Sequence, residues 1–93
     1  MLIVPEGKKP LKVKGLKIID QLGTLYATFN GSNLWQLDRV VYGVLNMCDG
    51  RKTVDQITEI LAKRIFHTPE DVKPVVEKTL SELAEMKFIE WVE

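Results

Sequence analysis

Cysteine is almost missing from this 93-residue sequence. Cys48 stands alone, so no intrachain disulfide can form and a disulfide-held scaffold is excluded. A lone thiol suits a reducing compartment and, at a core-facing helix position, is expected to be buried and inert. Histidine is equally scarce: His67 is the only one and has no second ligand at metal spacing, so a solvent-facing place beside a turn is expected. Net charge is absent as well. Thirteen Lys and Arg balance thirteen Asp and Glu, and no global field draws the chain toward nucleic acid or an anionic membrane. No apolar run approaches the ~20 residues of a membrane span. Met1–Val4 is apolar but far shorter than a secretory signal and is followed by Pro5; the expectation is a cytoplasmic protein. Nor is there a Ser-His-Asp set, a Gly-rich phosphate loop or a pair of carboxylates in a plausible enclosed pocket. These absences argue against an enzyme and against any cofactor or metal.

What remains is an ordinary soluble composition, 45% hydrophobic and 28% charged. The length points to one domain. A domain this small buries only about two-thirds of its unfolded surface, enough for one core and hardly for a deep active site. The charge is uneven along the chain: Lys8, Lys9, Lys12, Lys14 and Lys17 face only Glu6 and Asp20 near the start. A solvated strand face accounts for this; contact with an acidic partner is the sharper alternative.

Pro5, Gly7 and Pro10 mark residues 1–10 as an N-terminal arm, with the domain proper from 11 to 93. From Leu11 apolar residues alternate with lysine (Leu11, Val13, then Leu16, Ile18), the period of a half-buried strand. "QLGT" reads as a turn into "TLYATF", and "NGS" as a second turn into "NLWQL". Three consecutive strands make a small antiparallel meander. The period then changes. Asp38 suits an N-cap, and Leu37, Val41, Val44, Leu45 and Cys48 recur at helical spacing. "RVVYGVL" is rich in weak helix formers, so packing would have to impose that helix.

Gly50 of the Asp-Gly pair is expected to close this first helix in the left-handed region. Thr53 and Gln56 fit a capping box that opens the second, which carries Ile57, Ile60, Leu61 and Ile65 on one stripe. Thr68 caps the third helix, with Pro69 at its first position and Glu70 and Asp71 complementing its dipole. Val72, Val75, Val76, Thr79, Leu80, Leu83 and Met86 then span an arc of roughly 140°, wide enough to meet the core and a second surface. Pro74 predicts a distortion near the start. "FIEWV" ends the sequence as a short extended segment. The fold class is therefore α+β: a winged-helix-like domain with an N-terminal meander, three helices and a short last strand.

The stretch from about Leu11 to Val92 resembles the PqqD family of peptide-recognition domains, used in making ribosomally synthesised, modified peptides. The match is carried by Leu37-Asp38, Met47-Cys48-Asp49-Gly50, Thr53-Val54 with Ile57, Asp71-Val72, Leu80 with Leu83, and Phe88-Ile89. Where the family usually has glycine before the last apolar pair, this chain has Lys87, so the third helix is expected to end differently.

The resemblance implies a non-enzymatic adaptor. It would bind the leader of a precursor peptide and present it to a separate modifying enzyme, often a radical-SAM protein. The leader would add as a strand to the open edge of the meander, beside the third helix. Asn33, Leu34, Trp35 and Gln36 would offer the edge. Val75, Val76, Thr79 and Leu83 would line the facing wall, and Lys73 and Lys78 would meet acidic leader side chains. The plainer reading assigns Trp35, Val76 and Leu83 to packing, with Val75 and Thr79 the better groove candidates. Trp91 is expected to pack on the fold, with a homodimer face as the alternative. A winged-helix DNA-binding role is disfavoured, because Glu70, Asp71, Glu77, Glu82 and Glu85 outnumber Lys73, Lys78 and Lys87 along the third helix and its end. A scaffold or dimerisation module is the remaining rival.

Overall fold

The computed structural model describes residues 4–5 and 7–93; Met1, Leu2, Ile3 and Glu6, from the expected N-terminal arm, lie outside the described residues. Strands β1 (Lys9–Lys12), β2 (Lys17–Gln21), β3 (Thr24–Thr28) and β4 (Trp35–Leu37) come first. Helices α1 (Arg39–Asn46), α2 (Val54–Ile65) and α3 (Pro69–Glu85) follow, and β5 (Ile89–Val92) comes last. This is an α+β fold.

The meander is antiparallel, in the order β2-β3-β4. Its register pairs Ile18 with Ala27 and Leu25 with Leu37. The alternating run from Leu11 to Ile18, expected to be a single strand, divides at Lys14-Gly15, where Gly15 has φ 90°. The first piece leaves the meander. As β1 it pairs with β5, from Lys9 opposite Val92 to Lys12 opposite Ile89, and takes in Lys9 and Pro10 from the expected arm. Its other edge is held by the segment after α1: the Lys12 amide donates to the Cys48 carbonyl at 2.8 Å, and the Gly50 amide to the Pro10 carbonyl at 2.9 Å.

The Asp49-Gly50 turn therefore does something other than end a helix. α1 stops earlier, at Asn46, with the Met47 amide on the Val44 carbonyl at 3.0 Å. Gly50 adopts φ 76° against β1 and β5, and a Cβ there would stand 3.4 Å from both Leu11 Cδ1 and Val92 Cγ2. The turn docks the helical half onto the β1-β5 ribbon. Asp49 braces it: Oδ1 accepts from the Arg51 amide at 2.9 Å and Oδ2 from Lys52 Nζ at 2.6 Å. The lysine hydrogen bond first, and the amide second, hold its carboxyl below the usual range.

Capping sets the helix starts as the residue types foretell. Asp38 Oδ1 accepts from the Val41 amide at 2.8 Å. Thr53 and Gln56 form the reciprocal box, and Thr68 accepts from the Asp71 amide with Pro69 behind it. α3 is continuous through Pro74. Packing imposes α1 despite its poor propensity, with Val44 and Leu45 buried in a core that also holds Ile57, Val76, Leu80 and Phe88. α3 packs on α2, α1 and β5. It ends with two closing bonds, Lys87 amide to Ala84 carbonyl at 3.0 Å and Phe88 amide to Leu83 carbonyl at 2.9 Å. Lys87 sits at φ 63°, so this end has the left-handed form that glycine favours, and a lysine occupies it.

Candidate functional site

β4 is an edge of the three-stranded sheet: β3 lies on one side and, among the described residues, no strand on the other. The turn that leads into it is set by Asn30, whose Oδ1 accepts from the Ser32 amide at 2.8 Å and the Asn33 amide at 2.9 Å. Thr28 Oγ1, fully buried, accepts from the Gly31 amide at 2.9 Å. Side-chain hydrogen bonds thus deliver Asn33 and Leu34, both exposed, into the strand.

Trp35 and Leu37, two residues apart, share one face of β4: Leu37 is buried in the core, whereas Trp35 at the start of the strand is 43% exposed. The indole is not adrift. It meets the buried Phe88 ring edge-on, centroids 5.7 Å apart, while Phe29 stacks obliquely on the same ring at 5.6 Å. Between β4 and α3 runs a groove of roughly 130 Å³. β4 contributes Trp35, Gln36 and Leu37, and α1 contributes Val41. The C-terminal half of α3 contributes Thr79, Glu82, Leu83 and Met86, and Phe88 lies beyond it. An unpaired strand edge beside such a groove can satisfy the backbone of an extended chain and seat one of its apolar side chains. Glu82 is the single ionisable group in the lining.

Of the residues named from sequence, the structure brings Trp35, Gln36, Thr79 and Leu83 together here, with Asn33 and Leu34 leading in. Others lie elsewhere. Val76 is fully buried and offers no surface to a bound chain. Val75 opens onto a different groove, with Val40, Leu61, Ile65 and Val72. α1 divides the two: its Val41 faces the β4 groove and its Val40 the other. Lys73 Nζ lies 3.1 Å from Asp55 Oδ1 at the start of α2, and Lys78 is exposed outside the β4 groove lining. Leu37, Val41, Glu82, Met86 and Phe88 were not named as site residues. The 79, 82, 83, 86 spacing marks one helix face and was the available signal for Glu82 and Met86.

The lone cysteine is buried, while His67 lines the second groove with Val75. Cys48 donates its thiol proton to the Val44 carbonyl at 3.2 Å, and burial, with Asp49 adding a smaller push, raises its pKa to about 12. Among the described residues no three of His, Cys, Asp and Glu gather at metal distance, and no helix is long and apolar enough to cross a membrane.

The architecture defines the class: a small α+β domain with an open-edged meander beside a helical groove. Residues 16–89 match the family model described as Coenzyme PQQ synthesis protein D (PqqD), and the chain belongs to that family. Its fold is similar to the solution NMR structure of the PqqD truncation of Methylobacterium extorquens PqqCD, with a TM-score of 0.77 and 22% identity over 96% of each chain. That structure is described as representing a functional and stand-alone recognition element for ribosomally synthesised and post-translationally modified peptides. Among curated proteins no match was found.

Proposed function

We propose that this chain is a non-catalytic recognition module that binds the leader of a ribosomally made precursor peptide and presents it to a separate modifying enzyme, of the radical-SAM type. The leader adds antiparallel or parallel to β4, and one apolar side chain enters the groove between β4 and α3. The observation that carries this reading is the coincidence of an unpaired edge with an aromatic-floored groove in a PqqD-family chain. Main-chain pairing gives affinity to any extended segment, and the groove selects among them. Glu82 at its wall favours a basic residue next to the apolar anchor, while Lys78, one turn earlier on α3, suits an acidic residue further along. The setting is the cytoplasm, where the precursor is made.

Nothing in the strand order favours DNA binding. β5, the strand after α3, pairs with β1 and not with a hairpin partner of its own, and α3 itself is rich in carboxylates.

The test is a calorimetric titration with synthetic leaders of the short open reading frames that neighbour its gene. One leader binds the native chain. Met86→Asp, at a groove residue 38% exposed, weakens binding by about 10-fold or more while the melting temperature holds, since a charge is then placed against an apolar anchor. Binding indifferent to Met86→Asp overturns the groove assignment, and no binding by any leader overturns the function.

A further inference from the structure

Phe66 ends α2 at φ 57° with its side chain 93% exposed. The left-handed region is unfavourable for any residue but glycine or asparagine, and a bare phenyl ring gains nothing from water. Beside this ring lies the second groove, about 500 Å³, lined by the apolar Val40, Leu61, Ile65, Val72 and Val75 together with His67 and Asp71. Val75 is 49% exposed and Ile65 41%. Phe66 is not among the residues that line this groove and does not fill it.

We propose that this surface joins two copies of the chain about a two-fold axis, Phe66 of each entering the apolar groove of the other. A projecting ring and a receptive groove side by side on one molecule are what a self-complementary contact requires. The charges agree. Exposed Lys63 and Arg64 stand on the α2 side, and exposed Glu70 and Asp71 on the α3 side. A two-fold axis between the helices sets each basic rim against the partner's acidic rim. The size sets the strength. Each ring buries about 150–250 Å², so two rings and their rims fall below the ~1,200–2,000 Å² of a stable complex. The dimer is therefore a weak one. Because α1 separates this groove from β4, a leader and a second copy bind without competing.

Sedimentation velocity of the full chain between about 10 μM and 1 mM reads this directly. The native chain passes from monomer to dimer. Phe66→Gly stays monomeric, at least about 10-fold weaker in association, and at a dilution where both are monomers it melts higher than native because glycine fits the left-handed position. Val75→Asp also stays monomeric, and mixing it with Phe66→Gly restores a heterodimer through one intact ring and one intact groove. A native chain monomeric throughout, or a dimer indifferent to Phe66→Gly, would overturn the proposal.

Discussion

Replacing Lys87 by glycine should make the protein more stable. The side chain is exposed, and what the residue does for the fold it does through its backbone. At φ 63° it turns the chain out of α3 so that the Phe88 amide reaches Leu83 and the Lys87 amide reaches Ala84. A non-glycine residue in that region costs about 1–2 kcal/mol. Glycine returns part of this gain through the freer unfolded chain, about 0.5–1 kcal/mol. The net gain is about 0.5–1 kcal/mol. At roughly 4–8 °C per kcal/mol for a domain of this size, the melting temperature should rise by about 2–8 °C in calorimetry or circular dichroism. Lys87→Val, β-branched, should lower it. Leader affinity should be unchanged, since Phe88 keeps its place beneath Trp35. A melting temperature that stays level or falls for Lys87→Gly would refute the argument from backbone strain.

Two other expectations follow from where side chains lie. Cys48 should resist thiol reagents in the native state and react at a rate that follows global unfolding in urea; rapid native labelling at pH 8 would contradict its placement. The folded state keeps the thiol protonated up to about 12, against an ordinary 9.0, so this burial stabilises fully below pH 9 and its contribution is lost as the pH rises through 12. Val75→Asp, which the sequence alone would place in the leader groove, should leave leader binding within about two-fold of native, because Val75 lies across α1 from β4; loss of binding would merge two surfaces that the structure separates.

Most of the fold was legible because its punctuation is chemical. Asp38, Thr53 with Gln56, and Thr68 with Pro69 each cap the helix their residue types foretell, and the period-2 runs around "QLGT" and "NGS" form the meander. The division of Leu11–Ile18 was hidden, because alternation reads the same whether a strand pairs with its neighbour in sequence or with a distant one. Only the tertiary partner, β5, decides it. The same blindness misassigned Gly50: a left-handed glycine after a helix suggests a cap, whereas this one packs between Leu11 and Val92. At the site, the edge strand and the α3 wall were legible from pattern and family resemblance, but the helical stripe could not show where it divides. Val75, Val76 and Thr79 share one arc, yet α1 crosses it and sends them to another groove, to the core and to the β4 groove. Glu82 entered the sequence reading only as one of the carboxylates that disfavour DNA binding, because nothing in a helical wheel tells a groove wall from open surface.

The central claim is that β4 is held open for another backbone. Amide hydrogen exchange of Asn33–Leu37, measured in the chain alone and with a bound leader, tests it most directly. Fast exchange at the outward amides of β4 in the free chain, slowed by about 10-fold or more when the leader is added, is the predicted result. Amides already protected in the free monomer, or unmoved when a leader binds, would contradict it.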